Sequence, residues 1–166
     1  MSDKMADVET HARRARESQQ LRRILRSHSS ALADHLADRL GPGTRYGKLA
    51  PEVLSERCHL FVEALVRTTG SDPESLGEYL GGVARRRLTE GFGLDELQWA
   101  VRILEVEAWR VVVADSAPDA LASNLCGLSV AFGLCAACCA DSAAAGIDAP
   151  DGPAQSSTRS STRYSP

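Results

Sequence analysis

The chain has 166 residues, of which 43% are hydrophobic, and a formal net charge of -3 at pH 7. That length can bury one sizeable core and reads most simply as a single domain with tails, while the slight acid excess argues against general nucleic-acid binding. Aromatic residues make up only 5%, arginine far outnumbers lysine, alanine is abundant, and β-branched runs are nearly absent outside Val111 to Val113. This composition predicts an all-α chain.

Residues 1–17 set Lys4, Arg13, Arg14 and Arg16 against Asp3, Asp7, Glu9 and Glu17, with almost nothing apolar to pack. They predict a solvated, fraying extension of the first helix. Charged residues stand where the apolar region of a signal peptide would be, so the chain reads as cytoplasmic. From Gln19 to Leu40 the stripe Leu21, Leu25, Leu32, Leu36 and Leu40 predicts the first core helix. His28 and His35 fall on or beside that stripe, seven residues apart, too far to chelate one metal by themselves but able to approach a ligand held against that face.

Gly41, Pro42 and Gly43 end this helix, and Thr44 to Ala50 form a loop that Tyr46 anchors. Pro51 suits the first position of a second helix, whose apolar residues are Val53, Leu54, Phe61, Val62, Leu65 and Val66 and which ends near Gly70. Ser71, Asp72, Pro73 and Glu74 have the pattern of a capping box that opens a third helix, burying Leu76, Tyr79, Leu80, Val83 and Leu88. Gly81 and Gly82 weaken it locally and suggest close helix contact.

The stretch Val83 to Val113 organises the rest. Arg85, Arg86 and Arg87 end one helix, Gly91 closes it with positive φ, Phe92 anchors the turn in the core, and Gly93 caps the next helix. Asp95 and Glu96 then complement the positive end of its macrodipole. That helix has two apolar stripes. Leu94, Leu97, Val101, Leu104, Ala108 and Val111 form the first; Trp99, Ile103, Val106, Arg110 and Val113 form the second, leaving Asp95, Gln98, Arg102 and Glu105 as a narrow polar strip. A helix apolar on two faces needs two partners, here the protein's own core and, for the second stripe, another copy of the chain. Arg102 and Glu105 read as a solvated pair three residues apart.

The last helix spans about Ala120 to Ala143, with Leu121, Leu125, Leu128, Phe132, Cys135 and Cys139 as its stripe and small residues elsewhere. It carries no charge between Asp119 and Asp141 and is long enough to cross a bilayer core of ~30 Å. Asn124, Ser123 and Ser129, the small side chains and the absence of aromatic or cationic flanks argue instead for a central bundle helix. Cys58, Cys126, Cys135, Cys138 and Cys139 read first as small buried hydrophobes of a reducing compartment. Cys135, Cys138 and Cys139 are the alternative redox residues, and a metal site on Cys135 and Cys139 would need further ligands, such as Cys58 and His59, from another helix. Residues 144–166 shift to Ser, Thr, Pro and Gly, the composition of a disordered tail. No phosphate-binding loop or nucleophile elbow occurs, and Glu105 and Glu107 point to different faces. No catalytic residue, cofactor or metal is therefore expected.

The run Arg87, Leu88, Gly91, Leu94, Leu97 and Arg102, with Trp109 closing the helix, resembles the N-terminal domain of RsbRD-type co-antagonists of the switch kinase RsbT. There an arginine-bearing helix ends at a glycine and an L-x-x-L helix with a downstream arginine follows. The resemblance covers residues 18–143. It implies a single globin-like bundle, of about five helices on the periodicity, that dimerises and relays stress signals in a bacterial regulator without binding haem. No sulfate-transporter/anti-sigma-antagonist, kinase or DNA-binding domain is recognised downstream, so the expected action is through protein contacts: a homodimer, or pairing with a regulator or kinase, with neither nucleic acid nor membrane as partner. The alternative is a sensor that holds haem or a metal through His28, His35 or His59, or responds through the three clustered cysteines.

Overall fold

The computed structural model describes residues 2–41, 43–69 and 73–147. Among them the chain forms six α-helices and no strand, the all-α class predicted by its composition. The leucine stripe from Leu21 to Leu40 is wholly buried, but the one helix expected there is two, α1 (Ser2–Ser27) and α2 (Ser29–Leu40). Serines cause the break. Ser27 Oγ donates to the Ile24 carbonyl at 2.8 Å and Ser29 Oγ to that of Arg26 at 3.0 Å, so side chains compete for acceptors that a continuous helix would use. His28 between them takes φ −109° and ψ 7°, the sparsely allowed bridge region.

Helix α1 runs through the boundary expected after residue 17. Glu17 accepts a hydrogen bond from Ser123 Oγ at 2.7 Å, so the end of the expected charged extension is attached to the last helix. Arg22 donates through Nε and Nη2 to the Thr69 carbonyl at 3.1 and 2.8 Å. Its guanidinium thereby covers the negative end of α3 (Pro51–Thr68). Pro51 occupies the first turn of α3 as expected, and a short 3₁₀ helix, Arg45–Lys48, replaces most of the predicted loop before it.

Helix α4 covers Pro73–Thr89; the capping box expected from Ser71 and Asp72 lies outside the described residues. Leu80 is buried, Tyr79 and Leu88 pack partly against the core, and Val83 is half-buried. The two central glycines differ. The Gly81 carbonyl accepts from Ser142 Oγ at 3.4 Å, which places α4 close to the last helix, whereas nothing stands within 4 Å of where a Gly82 side chain would begin. Only the first fits the expected close contact.

Helices α5 (Leu94–Asp115) and α6 (Leu121–Ile147) complete the bundle. Helix α6 packs on α4, α5 and α1, and α5 packs on α2 and α1 as well. Of the predicted α6 stripe, Leu128, Phe132, Cys135 and Cys139 are buried, Leu125 packs partly against the core and Leu121 is half-buried, and the helix continues past Ala143 to Ile147. The expected disordered tail from residue 148 onward lies outside the described residues. By length and composition α6 could cross a membrane. Within the bundle its polar side chains tie it to three other elements: Ser123 to Glu17 of α1, Ser142 to Gly81 of α4, and Asn124 Nδ2 to Ser116 Oγ at the end of α5 at 2.9 Å.

Candidate functional site

The corner between α4 and α5 follows from its glycines. Gly91 takes φ 84°, and its N–H and that of Phe92 donate to the carbonyls of Leu88 and Arg87 at 2.9 and 3.0 Å. This pair of bonds is a Schellman motif, which closes α4. A Cβ at Gly91 would also stand 2.6 Å from the Arg45 guanidinium, and that guanidinium donates to the Glu90 carbonyl at 3.1 Å. Gly93 begins α5. Having no side chain, it supplies only its N–H, which donates to Glu96 at 3.0 Å, while the Arg45 N–H donates to the other Glu96 oxygen at 2.5 Å. These two backbone donors hold the Glu96 carboxyl below the usual carboxylate range. Phe92 and Tyr46 are both buried, with ring centroids 4.6 Å apart at 47°, so the two anchors read from sequence meet.

An ion cluster that sequence reasoning missed stands beside this corner. Arg57 of α3 and Arg87 of α4 both donate to Glu90 Oε2, at 3.1 and 2.8 Å. Desolvation, the largest influence on the Glu90 carboxyl, raises its pKa, but the hydrogen bonds and charges of Arg87 and Arg57 outweigh it and the net shift is downward. The two arginines also border a cavity of about 70 Å³ whose walls come from α2, α3, α4, α5 and α6, among them Leu36, Leu40, Phe61, Leu80, Leu97 and Val101. Tyr46 borders the same cavity, and burial pushes its hydroxyl up to about 12.

The inner stripe of α5 is buried at Leu97, Val101, Leu104 and Ala108, with Val112 taking the fully buried place expected of Val111. The outer stripe divides. Trp99, Val106 and Val113 are 46%, 37% and 53% exposed, but Ile103 is 5% exposed and belongs to the chain's own core. With α1, α2 and α6 all against α5, the core side of the helix is wider than one stripe and takes in Ile103. Arg110 is exposed and donates to Glu107 at 2.9 Å; Arg102 and Glu105 form the expected pair at 2.5 Å.

The histidines do not converge. His28 Nε2 lies 2.7 Å from Asp115 of α5, His35 Nδ1 lies 3.7 Å from Glu107, and the His59 ring donates to the Ser55 carbonyl within α3 at 3.0 Å. None of the three borders the cavity, and His59 lines a separate surface hollow with Arg26, Ser29, Glu63, Val66 and Arg67. Among the described residues no three His, Cys, Asp or Glu side chains are placed to hold a metal.

Cys58, Cys135 and Cys139 are buried, Cys138 is partly so, and Cys126 is exposed. Burial pushes the Cys58 thiol up to about 11 and, with the neighbouring thiols, that of Cys135 up to about 12; burial raises Cys139 and Cys138 as well. Such thiols are poor nucleophiles. At pH 8, iodoacetamide is expected to alkylate Cys126 more than about a hundredfold faster than Cys135 in the folded chain, read by peptide mass spectrometry. Equal rates would overturn the packing reading of the buried cysteines.

A family described as RsbT co-antagonist protein rsbRD N-terminal domain matches residues 28–149, more than half of the chain. No curated protein and no solved structure matches it.

Proposed function

The chain belongs to the RsbT co-antagonist protein rsbRD N-terminal domain family, and from that premise we propose that it is a non-catalytic regulatory module of stress signalling. It works as a homodimer and through contacts with a regulator protein or a kinase of the RsbT type. The observation that carries this reading is the outer face of α5, where Trp99, Val106 and Val113 recur every seven residues and stay exposed although the core buries Leu97, Val101, Ile103, Leu104 and Val112. Large apolar side chains in a row are costly in water and favour a protein partner. Tryptophan and arginine on such a face are the residue types that most often dominate association energy.

The salt bridges beside the row suit a two-fold pairing. Arg102 with Glu105 and Arg110 with Glu107 place opposite charges on both flanks, and in an isologous contact each flank meets its own counterpart. Arg110 is thus a rim residue whose charge sets register and rate more than affinity.

Sedimentation velocity is expected to give twice the chain mass of 17.8 kDa. Val106→Arg should return it to a monomer while leaving the helical circular dichroism signal unchanged, and Trp99→Asp should do the same. A monomeric wild-type chain would sink the homodimer, and an undisturbed Val106→Arg dimer would move the interface elsewhere.

A further inference from the structure

The cavity at the α4–α5 corner has carbon walls and a polar rim, and one of its rim groups has no partner. Tyr46 is 6% exposed and borders the cavity, and its hydroxyl makes no hydrogen bond among the described residues. The hydroxyl is open to solvent through the cavity, since Asn124 Oδ1 is the one fully buried side-chain oxygen or nitrogen without a partner among the described residues, so water or a further acceptor can reach it. Arg57 and Arg87 border the same space, and both are committed to a single oxygen of Glu90. Two guanidiniums facing one carboxylate leave one positive charge unmatched at the rim and N–H donors to spare.

We propose that this cavity binds a short-chain monocarboxylate, with its tail among Leu40, Leu80 and Val101 and its carboxylate between Arg57, Arg87 and the Tyr46 hydroxyl. Carboxylate recognition follows from the donor set. Guanidinium pairs with carboxylate through two parallel N–H bonds, and a tyrosine hydroxyl donates well to an anionic oxygen. The short tail follows from the volume. A cavity of about 70 Å³ is roughly half of the 150 Å³ that holds benzene in an engineered protein core, leaving room for about three or four carbons. Glu90 stands in for the ligand's head group: its own carboxylate rests on both arginines, and a bound carboxylate takes over part of that role. Helices α2 to α6 all contribute to the wall, so occupancy reaches α5 from its inner side. The proposal concerns the interior of one chain and does not depend on pairing through α5.

The test is a titration of the full 166-residue chain with sodium butyrate, followed by ¹H–¹⁵N NMR, with 1-butanol and sodium chloride as separate controls. Saturable shifts centred on Tyr46, Leu80 and Val101 are expected with butyrate, at least about tenfold weaker binding with 1-butanol, and no saturable shift with chloride. Tyr46→Phe should weaken butyrate several-fold. Glu90→Gln, which frees both guanidiniums without removing either, should tighten it several-fold, and thermal unfolding of each variant verifies that it is folded. Absence of saturable butyrate shifts would overturn the proposal, as would equal affinity for butyrate and 1-butanol. Folded Glu90→Gln protein with unchanged or weaker affinity would overturn it too. Should Glu90→Gln not fold, the Tyr46→Phe comparison decides, and unchanged affinity there counts against the site.

Discussion

Leu104→Ala is expected to lower the free energy of unfolding by about 3–5 kcal/mol, measured by urea denaturation at one fixed protein concentration. Leu104 is completely buried in the middle of α5, the helix that contacts α1, α2 and α6. Truncation removes three carbons from a place that several helices enclose, and a site held from several sides collapses poorly around a void. Against a total stability of about 5–15 kcal/mol for an ordinary domain, that loss leaves a folded protein with its melting temperature lowered by roughly 10 °C. Leu60 is the contrast: at 50% exposure, Leu60→Ala should change stability by less than about 1 kcal/mol. A Leu104→Ala loss of similar size would show that the inner stripe of α5 is not a packed core.

The stripe was legible because helical periodicity reports which residues share a face. It does not report how much of the helix its neighbours cover. Ile103 was therefore grouped with Trp99 and Val106, although the surrounding helices bury it. The same limit explains α1 and α2. Their leucines keep to one helical face from Leu21 to Leu40, and that pattern gives no sign that Ser27 and Ser29 interrupt the backbone between them.

The corner divides in the same way. Gly91, Phe92, Gly93 and Glu96 act within a few residues of one another, so capping and positive φ could be read locally. Tyr46 was legible as an anchor in a chain poor in aromatics, but its pairing with Phe92 joins residues two helices apart in sequence. Arg57 and Glu90 are 33 residues apart, and nothing in either stretch indicates that they meet. A cavity is harder still, because it is defined by where side chains from five helices stop short. The cysteine stripe shows the reverse case. The spacing of Cys135 and Cys139 placed them on the buried face of α6, and burial is then the largest cause of the raised pKa of each, with neighbouring thiols adding to it.

Phe92→Ala is expected to cost about 3–4 kcal/mol, the second large effect, and to act through a different mechanism from the loss at Leu104. Phe92 stands one position after the Gly91 turn, so its ring is aimed into the core by the Schellman closure. The ring is buried and meets Tyr46 at 4.6 Å. Aromatic pairs of this kind contribute about 0.5–1.5 kcal/mol beyond their buried area. A double-mutant cycle with Tyr46→Leu should therefore return a coupling in that range, with the rest of the Phe92 loss surviving in the Tyr46→Leu background. Gly91→Ala separates backbone from packing. It keeps the ring but forces a side chain into left-handed backbone and toward Arg45, which costs about 1–2 kcal/mol. A Phe92→Ala loss no larger than that of Gly91→Ala would mean that backbone closure alone holds the corner. A larger loss with measurable coupling would assign the junction between α4 and α5 to the ring pair, and with it the positions of Arg87 and Glu90 at the cavity rim.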